Sequence, residues 1–228
     1  MDLNKTTLSE QIYQILRADI VTQKIRLGEK LTLKSLQERF SVSSTPIREA
    51  LTRLAEDDLV VSYSNVGVNV IEIGERDLRE LYQFMGDLDG LAILYASRYP
   101  NQAEVIDALE QNIRKTASIY QDREMTPPEI EEWTSSSDQF HLIFYDFCQN
   151  QRLTRAAQKQ RSQLTIFSNM YEASREFQIS IEKGHEAILE TYRNGQYQET
   201  AEKMREHLGQ SLEYALKCLE KLHDGKDR

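Results

Sequence analysis

Residues 42–60 read Val-Ser-Ser-Thr-Pro-Ile-Arg-Glu-Ala-Leu-Thr-Arg-Leu-Ala-Glu-Asp-Asp-Leu-Val. The stretch opens with small hydroxyl residues and places Pro46 near a helix start, where a missing N–H costs nothing. Ile47, Ala50, Leu51 and Leu54 then recur at helical spacing. The result is a short helix with one apolar face. Its other face, and above all its first turn, offers Ser43, Ser44, Thr45, Arg48, Thr52 and Arg53 to solvent or to a polar partner.

Working outward, Leu8, Ile12, Ile15, Leu16 and Ile20 recur at three- and four-residue steps after the capping pair Thr6-Thr7, which predicts a helix from Leu8 to about Gln23. Arg26 to Thr32 reads as a turn into a short extended piece, and Thr32 caps a second helix over about 33–40 with Leu33, Leu36 and Phe40 inward. On the other side, Leu59 to Tyr63 and Val66 to Ile71 are two β-type runs separated by Ser64-Asn65, a hairpin signal. Three helices followed by a hairpin is the winged helix-turn-helix order, which makes residues 42–60 a DNA recognition helix and its approach.

After the connector Ile73-Gly74-Glu75 the pattern changes, and β-type alternation gives way to helices near 75–98, 102–121, 128–149, 151–172, 178–194 and 197–222. Arg98-Tyr-Pro-Asn, Asp122 to Pro128 and Asn194-Gly195 supply breaks, and Pro127-Pro128 fits a helix start. The expected fold is mainly α: a winged helix-turn-helix domain over residues 1–73, then an all-helical bundle of about six helices over residues 74–228. The final residues, Asp224 to Arg228, read as a frayed tail.

Composition agrees with two globular domains, with 39% hydrophobic and 29% charged residues. Residues 1–73 hold 9 of the 28 basic and 10 of the 37 acidic side chains, so the net charge of −9 belongs almost wholly to the second domain. That excludes a protein that coats nucleic acid non-specifically, while leaving room for a local basic surface. Cys148 and Cys218 form no CxxC pattern and are expected as buried or half-buried free thiols. No N-terminal stretch reads as a signal peptide and no apolar run reaches membrane-span length, so a cytoplasmic protein without a membrane partner is expected.

Taken together, the chain resembles the GntR family of bacterial transcription regulators. The resemblance is carried by Gly28-Glu-Lys-Leu, Leu33-x-x-Leu36, Val42-Ser43, Thr45-Pro-Ile-Arg-Glu-Ala-Leu51, Leu54, Leu59-Val60 and Gly67-x-x-Val70. In the second half Phe140-His141, Asn150, His185-Glu-Ala-Ile-Leu, Ala201 and His207-Leu208 look like the FCD ligand-binding domain of the FadR-type subfamily. The resemblance implies a homodimer, joined through the helical domains, that binds double-stranded operator DNA and answers to a small effector, often an organic acid; the family's usual output is repression. It places DNA contacts at Lys34, Ser44, Thr45 and Arg48, with the wing tip at Gly67. Arg48 brings a forked donor to a base edge or phosphate, the hydroxyls suit phosphate, and a glycine lets a backbone approach closely. Three positions depart from the family: Ser44 and Val66 stand where arginines are usual, and Asp58 replaces the glycine that usually follows the recognition helix.

His141, His185 and His207 fall on three different expected helices, and imidazoles projecting from separate helices can converge on one divalent ion. They sit at the metal positions of the family that the chain resembles. That family's fourth ligand, an aspartate, falls on Ser137; either the neighbouring Asp138, three residues before His141, takes its place, or the ion has three protein ligands and open positions. Zinc, nickel and manganese are all chemically reasonable. FCD domains often carry an arginine four residues before the acid that is Asp89 here; Met85 stands in its place, and Arg161 and Arg175 could supply that charge. No particular residues are assigned to the effector. Two other readings compete: a metal-dependent enzyme using the three histidines, although no HExxH occurs, and an architectural DNA-binding dimer without an effector.

Overall fold

The computed structural model describes residues 7–62, 67–119, 125–171 and 174–224. The chain divides into two compact units, Met1–Ile73 and Gly74–Arg228.

The first unit holds α1 (Leu8–Val21), β1 (Lys30–Thr32), α2 (Leu33–Phe40), α3 (Ser44–Glu56), β2 (Val60–Ser62) and β3 (Gly67–Val70). Thr7 caps α1 by accepting the Glu10 N–H at 3.2 Å, and Thr32 caps α2 by accepting the Ser35 N–H at 3.1 Å. Helix α1 packs on α3, with Ile12, Leu16 and Ile20 buried on one side and Ile47, Ala50 and Leu54 on the other. Ile15 belongs to the same apolar repeat but lies off the Ile12, Leu16 and Ile20 row and stays exposed, as does Leu8 at the first position of the helix. Leu33 and Phe40 are half-buried, and Leu36 alone of the three is fully inside.

The sheet has the order β1-β3-β2 and is antiparallel throughout, with Leu31 opposite Val68 and Val61 opposite Asn69. The extended piece before α2 is therefore a third strand on the free edge of the hairpin. Gly67 faces Thr32, and a Cβ there would lie 2.3 Å from the Leu31 carbonyl oxygen. The bare backbone at Gly67 is thus required by strand pairing inside the sheet, a reason separate from approach to DNA. The expected turn at Ser64-Asn65, and Val66, lie outside the described residues.

Helix α3 ends in a Schellman motif. Asp57 is the C-cap, Asp58 follows in the left-handed region at φ 54, the Asp58 N–H reaches the Ala55 carbonyl at 3.1 Å and the Leu59 N–H reaches Leu54 at 2.9 Å. This is the backbone conformation in which glycine is the usual residue. Aspartate is among the few side chains that tolerate it.

The second unit contains α4 (Glu75–Ala96), α5 (Gln102–Ile119), α6 (Pro127–Phe147), α7 (Gln151–Tyr171), α8 (Arg175–Arg193) and α9 (Tyr197–Asp224). Helix α4 runs along α9 and also touches α6 and α7, while α5 packs on α6 and α8. Its buried stripe through Leu78, Leu81, Met85, Leu88, Ala92 and Ala96 explains that central place. Asp89 lies in the same stripe and is 1% exposed.

Trp133, Phe140, Phe144, Phe167, Phe177 and Tyr192 fill the bundle, each under 2% exposed and each worth roughly 1.5–3 kcal/mol of burial. Helix α6 starts with its capping Thr126 and the two prolines, the Glu129 carboxylate accepting the Thr126 N–H at 2.7 Å. It stops at Phe147, two residues before the expected end, because Cys148 caps it and Gln149 turns left-handed at φ 53. Helix α8 begins at Arg175, three residues earlier than expected, with Phe177 and Gln178 already buried. Cys148 is buried and Cys218 half-buried, and both are free thiols. Among the described residues, no helix is long and apolar enough to cross a membrane.

Candidate functional site

The first site is the approach to α3. Ser41, left-handed at φ 54, closes α2, and Ser43 is the N-cap of α3 without a side-chain capping hydrogen bond. The first-turn N–H groups of α3 therefore stay open at the positive end of its dipole. The opposite end is fastened. Arg53 pairs with Glu10 and lies 4.1 Å over the Tyr13 ring, while the Tyr13 hydroxyl donates to Asp57. Burial, with the Asp57 hydrogen bond behind it, pushes the Tyr13 hydroxyl up to about 12. Arg39 is likewise held by Asp19.

What is left outward is a small polar set. Thr45 and Arg48 are exposed and Ser44 is half-buried in the first turns of α3. Arg48 makes no ion pair among the described residues, so its five donors are free for a partner. Lys34, on α2, has a side chain that is 89% exposed and only a 4.0 Å contact to Glu38.

The second site lies inside the bundle. His141 on α6, His185 on α8 and His207 on α9 are all buried, and one ring nitrogen of each lies within 4.8 Å of the others. The Nε2 atoms of His141 and His185 are 3.4 Å apart. Phe140 stacks on the His185 ring with centroids 4.0 Å apart and planes 14° from parallel, which fixes that ring's orientation. Gly184 makes room for the third ring, because a Cβ there would lie 2.5 Å from His207 Nδ1. Burial lowers the His207 imidazole to about 3 and carries His185 well below the ordinary histidine range, with the neighbouring imidazoles adding to both shifts. Both rings are therefore neutral at neutral pH.

A charged group backs the histidines. Asp89 on α4 accepts from His141 Nδ1 at 2.8 Å, from the Tyr145 hydroxyl at 2.6 Å, and from Arg161 Nη2 at 2.8 and 2.9 Å on its two oxygens. Burial pushes the Asp89 carboxyl up, but the Arg161 charge and the bonds from His141 and Tyr145 outweigh it and hold the group well below the usual carboxylate range. With Asp89 on Nδ1, Nε2 of His141 is the nitrogen turned to the other rings, the arrangement in which an outer carboxylate orients a metal-binding imidazole.

Asp138 stands elsewhere. It is absent from the histidine group, and its carboxylate pairs with Arg161 on α7. Asp138 is one helical turn from His141, and its carboxylate meets the guanidinium. Arg161, one of the two arginines that could replace the charge missing at Met85, is 7% exposed and pairs with both Asp89 and Asp138.

Residues 8–70 match the family described as bacterial regulatory proteins, gntR family, and residues 80–210 match the FCD domain. The chain belongs to the GntR family. Within it, the chain is 28% identical over 116 residues to the "Probable D-xylose utilization operon transcriptional repressor" of Paenarthrobacter nicotinovorans, covering 50% of this chain and 51% of that one. It is 41% identical over 78 residues to the HTH-type transcriptional repressor RspR of Escherichia coli, covering 34% of each. The chain thus spans about half or less of the length of these curated GntR relatives. Among solved structures, E. coli McbR/YncC shares the fold, with a TM-score of 0.71 at 18% identity over 93% of this chain and 99% of that one.

In this GntR chain the sequence pointed to Arg161 and Arg175 alike, and gave no sign that Arg161 pairs directly with Asp89. A charged residue inside the apolar stripe of α4 signals a buried partner, but that partner lies 72 residues away. The donor set fits a divalent ion: three buried imidazoles, two of them kept neutral by burial and one oriented by a carboxylate.

Proposed function

We propose that this chain is a DNA-binding transcription regulator, a repressor in its usual mode, whose helical unit binds a divalent ion and a small-molecule effector. The observation that carries the reading is the presence in one chain of a GntR match over 8–70 and an FCD match over 80–210. Arg48 and Thr45 are the side chains for base edges and phosphates, Ser44 and Lys34 add phosphate contacts, and the strand beginning at Gly67 carries the wing. Two copies joined through their helical units would present two such helices to a two-fold operator.

In the bundle, His141, His185 and His207 would hold the ion, with Asp89 orienting His141 from behind. The ion would supply a Lewis-acidic anchor for an oxygen of a small anion. A nitrogen-only donor set suits zinc or nickel better than manganese, which prefers oxygen. Because the three histidines come from α6, α8 and α9, drawing them together favours one packing of those helices over others. An effector then acts through its difference in affinity for those packings.

The test is a gel shift on the chain's own operator, selected from a random library, run with and without ion and with candidate organic acids. Operator affinity that is unchanged by chelation and by every acid would refute the regulatory part. Failure to select any sequence would refute the DNA-binding part.

A further inference from the structure

We propose that Arg161 withholds Asp138 from the ion at the histidine centre, while Asp89 stays behind His141, so that protein nitrogen alone holds the ion and a small anion from solution completes its shell. The inference rests on the metal centre proposed above.

Asp89 has no lone pair to give. A carboxylate offers about four acceptor sites. On Asp89 they are taken by the Tyr145 hydroxyl and Arg161 on Oδ1, and by His141 and Arg161 on Oδ2. Asp138 is the carboxylate one helical turn from His141 and would be the natural fourth ligand. Its Oδ1 instead meets Arg161 Nη1. Arg161 is buried, and its Nε has no hydrogen-bond partner. The guanidinium is thus placed to hold two acids at the expense of its own fifth donor.

Charge points the same way. One guanidinium faces two carboxylates, which leaves a single negative charge behind the ring cluster. A divalent ion on three neutral imidazoles turns that into a net positive charge, which an exogenous anion neutralises. Without Arg161 the two carboxylates would balance the ion by themselves, and Asp138 would be free to bind it.

The full chain, stripped with chelator and reloaded with cobalt(II), reports this through its visible spectrum, with azide as the probe anion. In the wild-type protein azide should give a saturable spectral shift. Asp138→Asn should leave cobalt affinity and the azide midpoint within about twofold of wild type. Arg161→Met should lose the azide shift and gain manganese affinity about tenfold or more, and Arg161→Met/Asp138→Asn should recover the shift. A tenfold loss of cobalt affinity in Asp138→Asn alone would show that Asp138 already ligates and overturns the proposal. So would a folded Arg161→Met protein that answers azide as wild type does. If Arg161→Met does not fold, the Asp138→Asn result decides. Wild-type protein that takes up no cobalt removes the metal centre itself, which separates that failure from a failure of the role given to Arg161.

Discussion

Gly184→Ala tests the histidine centre without touching any of its nitrogens. The added methyl would sit 2.5 Å from His207 Nδ1, 3.2 Å from Cε1 and 3.5 Å from Cγ. Ordinary contact begins near 3.4 Å, so the ring must retreat by roughly 1 Å. In stability the two effects oppose each other: alanine in a helix interior gains about 1 kcal/mol over glycine and overpacking costs about 1–3 kcal/mol, a net loss of at most about 2 kcal/mol. In metal binding nothing offsets the shift, because zinc–nitrogen bonds of about 2.0–2.1 Å tolerate shifts of about 0.2 Å. The expected result is a fold that loses at most about 2 kcal/mol after chelation, with zinc affinity reduced about 100-fold or more in competition with a chromophoric chelator. Gly209→Ala, on α9 with nothing within 4 Å of its new methyl, is the control. It should raise stability by about 0.5–1 kcal/mol and leave zinc affinity alone. Zinc binding by Gly184→Ala within about threefold of wild type would refute the argument that His207 ligates from its observed position.

Arg48→Ala should weaken operator binding by about 1–3 kcal/mol in a fluorescence-anisotropy titration while metal content stays unchanged; an equal loss on every DNA sequence would reduce Arg48 to a phosphate contact. Asp58→Gly should raise unfolding stability by about 0.5 kcal/mol, since glycine removes a left-handed penalty of about 1–2 kcal/mol but costs about 0.5–1 kcal/mol of chain entropy; a lower melting temperature would contradict the Schellman assignment. Acidification gives a further check on chelated protein. His207 and His185 have folded pKa values below the unfolded value near 6.5, so the unfolded chain takes up protons first. Their stabilisation is complete above about pH 6.5 and falls below it by up to about 1.4 kcal/mol per pH unit per histidine. Asp89, with its lowered carboxyl, adds to the loss only below about pH 4. A melting temperature that is flat from pH 7.5 to 5 would show that the rings are not buried as neutral groups.

The elements of the first unit could be read from local signals: Thr7 and Thr32 as caps, the apolar spacing of Ile47 to Leu54, and the β-type runs after Leu59. The family was legible for the same reason, and the sequence matches bear it out. Asp58 stood out as an unusual residue, and its positive φ explains why glycine is expected there. Three histidines on separate helices suggested convergence, and the bundle does bring them together. Other features depend on contacts that no local pattern encodes. Asp138 looked available to the histidines because helix geometry puts it near His141, yet a guanidinium from the next helix takes it. Gly184 gave no signal at all, since its role depends on where a ring from α9 crosses α8. The extended piece ending at Thr32 was legible, but its pairing with β3 was not, because it joins segments far apart in sequence.

Helix α3 is secured at one end only. Glu10, Tyr13 and the left-handed Asp58 grip its last turns, whereas Ser43 leaves the first turn uncapped. The two ends consequently differ in what a substitution disturbs. Near Asp57 a change also breaks a contact with α1. Around Ser44, Thr45 and Arg48 single replacements are free of that constraint. Under the proposed DNA-binding role, an altered operator preference would need changes only at these few positions, with the scaffold that aims them left intact.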